Sequence, residues 1–140
     1  MTPIGRDQLR ELMPHAGDMC LLDEVRDYSP DHIVCTTTTH RDPRHPLRSA
    51  TGLAALHLVE YAAQAMAAHG ALQAGGKAQP GMLAALRNIR LHVDRADAIE
   101  GPLAITAHRR LLQTDGSLYD FEVRGAGRLL CEGRIAIASA

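Results

Sequence analysis

The chain has 140 residues, 15 Lys and Arg against 16 Asp and Glu, a formal net charge of -1, and 46% hydrophobic residues. At roughly 100 to 200 residues per domain, this length reads as a single domain, residues 1–140, with enough apolar side chain to build a core without disulfides. The balanced charge excludes the basic footprint of a nucleic-acid binder, and three Tyr, one Phe and no Trp exclude a base-stacking platform.

The first expected element is a short helix near Asp7 to Met13. Two strands follow, Met19 to Tyr28 and His32 to His40, the second rich in β-branched residues from Ile33 to Thr39. The loop His40 to Arg48 (HRDPRHPLR) carries Pro43 and Pro46, which bar regular structure. From Leu53 to Ala71 the composition turns helical, with Leu56, Val59, Ala63 and Met66 at three- and four-residue steps. Thr51 is placed to cap its start, and Gly70 with Gly75-Gly76 to stop it. Nineteen residues span roughly 28 Å. Eight of the nineteen are alanine, which favours helix and lets other elements approach on several sides, so this helix is expected to be buried.

Strand signals dominate the remainder. Met82 to Val93 is a long strand, and Leu103 to Leu112 alternates before Thr114-Asp115-Gly116 supplies a hairpin turn. Tyr119, Phe121 and Val123 alternate with Asp120 and Glu122. A second turn at Gly125-Ala126-Gly127 leads into Leu129, Cys131, Ile135 and Ile137. Strands joined by tight turns form an antiparallel sheet, and the sheet must bury one face. The central helix is the element long and apolar enough to cover it. The expected architecture is therefore α+β, an antiparallel sheet wrapped around one helix, the hotdog fold. Its exposed sheet edges and helix ends predict a dimer.

No apolar run reaches the ~18 residues of a membrane span, and Met1 to Arg10 lacks the apolar region of a secretory signal, so a cytoplasmic location is expected. Cys20, Cys35 and Cys131 are far apart with no CxxC pair and read as reduced packing thiols.

Glu60 is the first residue that invites chemistry. It sits mid-helix among Leu58, Val59, Tyr61 and Ala62, and burying a carboxyl in such surroundings disfavours its charged form and suits it to proton donation. His57 and Gln64 share its face, so the alternative is a solvent-facing polar stripe. His45 lies in the loop before the helix, where an imidazole can reach a mid-helix acid, and His40 competes with it from the end of the preceding strand. His57 and Glu60 have i, i+3 spacing, but no HxxxH, HExxH or CxxC element accompanies them, so no metal site is expected.

Leu12-Met13-Pro14-His15 followed by Cys20-Leu21-Leu22-Asp23-Glu24-Val25 resembles the opening of the β-hydroxyacyl-ACP dehydratases of fatty acid synthesis. Glu60-Tyr61-Ala62-Ala63-Gln64 resembles their helix motif E-x-x-A-Q. The similarity continues through Asn88 to Arg95 and Leu130 to Gly133. Within that superfamily PHAGDM, HPLR and EYAAQAM are most similar to the dehydratase-like hotdog proteins encoded with aryl polyene biosynthesis enzymes. The resemblance implies removal of water from a 3-hydroxyacyl thioester on acyl carrier protein to give the trans-2-enoyl product. It makes Glu60 the acid, Gln64 the motif glutamine and His45 the base by position, although the family's Gly-His-Phe-Pro-Gly is replaced by Arg44-His45-Pro46-Leu47-Arg48. His15 falls on a structural or mouth-lining position.

Such chemistry needs hydrogen-bond donors for an enolate-like oxygen, for which the backbone N–H groups of Gly52, Leu53 and Ala54 are suited, and His57 and Gln64 are expected to line the substrate. No cofactor is required. The implied partners are the carrier protein, which Arg87, Arg90, Arg109 and Arg110 are placed to meet, and a second hotdog chain in a homodimer or heterodimer. Two other functions fit the same features: a non-catalytic hotdog subunit partnering an active dehydratase, and an acyl thioesterase.

Overall fold

In the computed structural model, which describes residues 3–14, 16, 19–77 and 81–139, the chain opens with helix α1 (Arg6–Leu12). Strands β1 (Glu24–Tyr28) and β2 (His32–Thr37) follow as an antiparallel pair. Two 3-10 turns, Thr39–Arg41 and Ala55–His57, bracket the proline-rich loop before the long helix α2 (Leu58–Gln73). The last four strands are β3 (Gly81–Leu91), β4 (Leu103–Gln113), β5 (Gly116–Gly125) and β6 (Arg128–Ser139). His15, Gly17 and Asp18 of the opening motif lie outside the described residues.

All pairings are antiparallel and the strand order is β1-β2-β4-β5-β6-β3. The β5–β6 hairpin turns on Ala126 (φ 51) and Gly127 (φ 74), the two left-handed residues that a tight two-residue turn demands. Alternate residues of β2, β4 and β5 point inward: Ile33 and Cys35, then Leu103, Ile105 and Ala107, then Tyr119, Phe121 and Val123. They pack on α2, whose buried positions include Tyr61, Ala62, Ala65, Met66, Ala68 and Ala71. Alanine does here what its size allows: the sheet curls closely around the helix because no long side chain holds it off. This is the hotdog arrangement expected from the element order.

Several boundaries differ from expectation for identifiable reasons. β1 begins at Glu24 rather than Met19, because side chains take the backbone of residues 20–22. Arg6 on α1 donates to the carbonyls of Cys20 (2.6 Å) and Leu22 (3.1 Å) and pairs with Asp23 (2.9 Å). β2 ends at Thr37, where the chain tightens into the first 3-10 turn.

The long helix begins at Leu58 rather than Leu53, and Thr51 does not cap it. Leu53 to Ala55 is held as an extended pair with the segment after β3: Ala96 N–H donates to the Leu53 carbonyl (2.8 Å) and Ala55 N–H to that of Asp94 (3.0 Å). Gly70 sits inside the helix, and the stop comes at Gly75 and Gly76, both at positive φ. Gly76 N–H returns to the Ala71 carbonyl at 2.8 Å.

Among the described residues no helix is long and apolar enough to cross a membrane. Cys20, Cys35 and Cys131 are free and buried, and burial pushes the Cys35 thiol up to about 12 and Cys131 up to about 11. All three pack in the core.

Candidate active site

The loop from β2 to α2 carries His45, and a hydrogen-bond chain fixes its ring. Leu47 N–H donates to His45 Nδ1 (3.1 Å), so the neutral ring carries its proton on Nε2 and donates it to Tyr61 Oη (2.9 Å). The Thr39 hydroxyl gives its proton to the Leu21 carbonyl (2.7 Å) and therefore accepts from Tyr61 Oη (2.9 Å). His45 is 5% exposed and Tyr61 is fully buried. Burial lowers the pKa of His45 from the ordinary 6.5, nearby His57 adds to the fall, and burial pushes the Tyr61 hydroxyl up to about 12.

His40, the rival imidazole, is fully buried and bonds through Nε2 to the Ile99 carbonyl at 2.9 Å. Among the described residues its Nδ1 has no partner. It fastens the first 3-10 turn to the loop before β4.

Glu60 occupies the first turn of α2 and is exposed, without a hydrogen bond or ion pair among the described residues. The expected burial is therefore not met within one chain. The cause is rotational: the sheet covers the other side of α2, and Leu56 (57% exposed), Glu60, Ala63 and Ala67 form the face it leaves open. His57 stands at the N-cap of α2, half-buried, one turn before Glu60 and on the same side.

Gln64 does not project into open space. Its Oε1 accepts Leu21 N–H (2.8 Å) and its Nε2 donates to the Met19 carbonyl (2.5 Å), so both ends of the amide hold residues 19–21. Gly52 and Leu53 are likewise committed: Gly52 N–H bonds Ser49 O (3.1 Å) and Leu53 N–H bonds Asp97 Oδ1 (2.9 Å). Gly52 has φ +112, and a Cβ there would lie 2.6 Å from Asp97 Oδ1, so that position accepts only glycine without rearrangement. Neither Ala54 nor His57, at the two N-caps before α2, provides a side-chain cap. Backbone carbonyls take these amides instead: Ala55 N–H bonds Asp94 O (3.0 Å), His57 N–H bonds Ala54 O (3.1 Å) and Leu58 N–H bonds Ala55 O.

Three residues that matter here drew no attention in sequence: Tyr61, Thr39 and Asp97. Asp97 is a nearly buried carboxylate, held well below the usual range by the Arg95 guanidinium and by Leu53 N–H. It anchors the strap that leads into α2. Its signal was a lone acid between Ala96 and Ala98 beside an arginine; Tyr61 read only as an apolar flank of Glu60.

Of the four arginines placed to meet a carrier protein, Arg109 bonds the Pro30 carbonyl (2.9 Å) and Arg110 pairs with Asp120 (3.0 Å). Arg87 and Arg90 are exposed on β3. Open clefts of about 610 Å³, beside His92 and Arg95, and about 590 Å³, beside Arg6 and Asp42, are lined by none of His45, His57 or Glu60.

The family model described as ApeP-like, ApeP dehydratase, matches residues 7–140. No curated protein matches the chain. In structure the chain is similar to the dehydratase heterocomplex ApeI:P from Xenorhabdus doucetiae, with TM-score 0.80 and 24% identity over 94% of this chain and 90% of that one. It is also similar to a mutant thioesterase from Pseudomonas aeruginosa, with TM-score 0.66 and 16% identity over 93% and 91% of the two chains. A conserved protein from Pseudomonas aeruginosa gives TM-score 0.69 and 15% identity over 94% and 98%. These structural likenesses bear on the hotdog fold, and the family match bears on the chain itself. Running from within α1 to the end of β6, that match makes the chain a member of the ApeP-like dehydratase family.

Proposed function

We propose that the chain removes water from 3-hydroxyacyl thioesters carried on an acyl carrier protein, giving trans-2-enoyl products in fatty acid or aryl polyene type biosynthesis. The observation that carries this reading is Glu60: a carboxyl with no partner among the described residues, on the open face of α2, one turn before the glutamine that fixes residues 19–21. A carboxyl so placed can deliver a proton to a departing 3-hydroxyl, while an imidazole takes the proton from C2. The elimination breaks C2–H and C3–O, forms C2=C3 and releases water with no net oxidation or reduction, so the reaction calls for no cofactor. The soluble carrier-bound substrate agrees with a cytoplasmic site of action.

The open face calls for a second hotdog chain. On β3, Leu83 pairs with Ile137 and Leu86 with Ile135, so both leucines lie on the concave side of the sheet with α2, yet they remain 46% and 43% exposed. A second chain of the same fold would cover these leucines and exposed Leu56 beside Glu60. The partner in this reading is either another copy or a different hotdog chain; the similar structure is itself named a heterocomplex. Exposed Arg87 and Arg90 on the same edge strand suit an acidic carrier protein.

A second reading has an observation of its own. Both nitrogens of His45 are consumed within the chain, which favours a non-catalytic subunit that shapes the site of an active partner. Incubating the chain, alone and with a partner hotdog protein, with 3-hydroxyacyl carrier protein and following the acyl group by mass spectrometry tests both. Loss of one water by the chain alone supports the first reading, and loss only with the partner's own base intact supports the second. Release of free acid would replace both with a thioesterase.

A further inference from the structure

We infer that Asp97 is a positioning residue of the dehydratase site: its carboxylate fixes the strap that sets where α2 begins, and so where Glu60 stands. The inference rests on the dehydratase reading above and adds to it a residue that acts through Glu60 alone.

Among the described residues the buried polar side chains are Thr37, His40, His45, His69 and Asp97, and Asp97 is the one carboxylate. Burying a charge costs heavily unless it is matched, and two guanidiniums match this one. Arg95 donates from Nε to Oδ1 (3.2 Å) and from Nη2 to Oδ2 (2.5 Å), and Arg48 lies 3.5 Å from Oδ2. Hydrogen bonding to Arg95 holds the carboxyl below the usual carboxylate range, so it stays charged at neutral pH.

Arg48 and Leu53 stand at the two ends of a short closed turn. Ser49 N–H bonds the Gly52 carbonyl (2.9 Å) and Gly52 N–H bonds that of Ser49 (3.1 Å). Asp97 meets the first end through Arg48 and the second by accepting Leu53 N–H at 2.9 Å. Gly52, at φ +112, lets the carboxylate lie against its Cα, where a Cβ would stand 2.6 and 2.7 Å from the two oxygens.

The start of a helix is commonly fixed by a side-chain cap, and α2 has none at Ala54 or His57. Its start is held instead by the pairing of the strap with residues 94–97, in which Ala96 N–H reaches the Leu53 carbonyl, Ala55 N–H reaches that of Asp94, and Asp97 takes Leu53 N–H. From Leu53 to Glu60 the chain holds no glycine or proline to absorb a displacement. Glu60 has no partner among the described residues, so the backbone places its carboxyl. A reacting group displaced by about 1 Å loses roughly 100-fold in rate, which gives this remote carboxylate its leverage on the chemistry.

The test is a double-mutant cycle between Asp97→Asn and Glu60→Gln, run on the full chain with its hotdog partner and 3-hydroxyacyl carrier protein. Alone, Asp97→Asn is expected to lower kcat roughly 100-fold with KM little changed. In the Glu60→Gln background the same substitution should cost no further rate, because the group it positions is already gone. Melting temperature is the counter-readout: it should fall equally in both backgrounds. Gly52→Ala, whose Cβ displaces the carboxylate, and Arg48→Gln, at a partly exposed side chain, repeat the cycle should Asp97→Asn not fold, and their kcat losses should likewise vanish without Glu60. A fall in kcat by the same factor with and without Glu60, or no fall, overturns the inference and leaves the dehydratase reading standing. Absence of dehydration by wild type with any partner overturns both.

Discussion

The hydroxyl of Tyr61 accepts a hydrogen bond from His45 Nε2–H at 2.9 Å and, through Thr39, joins it to the carbonyl of Leu21. The relay begins at a loop amide and ends on the segment that Gln64 also grips. Tyr61 and Gln64 are three residues apart on α2, so one face of the helix ties down both the loop before it and the strap before β1.

Tyr61→Phe keeps the buried ring and removes the hydroxyl, leaving the His45 Nε2–H and one Thr39 lone pair without a partner. The expected loss is about 1–3 kcal/mol of stability, measured by urea unfolding. An unchanged midpoint would show that the relay contributes nothing net.

Gln64→Ala strips the partners from Leu21 N–H and the Met19 carbonyl together. A destabilisation of about 1–3 kcal/mol is expected, with faster hydrogen exchange at the Leu21 amide than at Thr36 N–H. Equal exchange in variant and wild type would mean that another contact holds the strap.

Burial lowers the pKa values of His40, His45 and His69 from the ordinary 6.5. The unfolded chain therefore binds protons near pH 6.5 that the folded chain refuses. The stability they contribute is complete above that pH and drains away as pH falls below it. Unfolding free energy should drop between about pH 7 and 5. His69→Gln, which removes one of these groups at the Tyr119 and Ser29 contacts, should flatten the slope; a wild-type profile flat over this window would contradict the assignment.

Leu86→Glu places a charge on the concave side of β3 where the second chain is proposed to sit. Because Leu86 is 43% exposed in the single chain, its intrinsic stability should change by no more than ~0.5 kcal/mol while the assembly dissociates in sedimentation. An intact assembly would move the interface elsewhere.

Element order was legible because two periods, 3.6 and 2, are written plainly into the chain: the alanine-rich helix and the alternating Ile105, Phe121 and Val123 strands. Boundaries set by distant side chains were not. Nothing near Leu53 announces that Asp97, forty-four positions away, takes its amide and delays the helix to Leu58. Cys20 to Leu22 reads as strand, yet Arg6 and Gln64 claim its backbone. At the site, Glu60 and Gln64 stood out by their motif, but their roles depend on which side of α2 the sheet covers. His45 was placed by its distance from Glu60, a spacing that is silent about the Tyr61 hydroxyl waiting for its ring.

Glu60→Gln in the full chain with its hotdog partner tests the central claim most directly. Glu60 is exposed and has no partner among the described residues, so the unfolding free energy of the isolated variant should match wild type within about 0.5 kcal/mol. Dehydration of 3-hydroxyacyl carrier protein should fall at least ~100-fold. A folded Glu60→Gln complex that releases water at the wild-type rate would contradict the account.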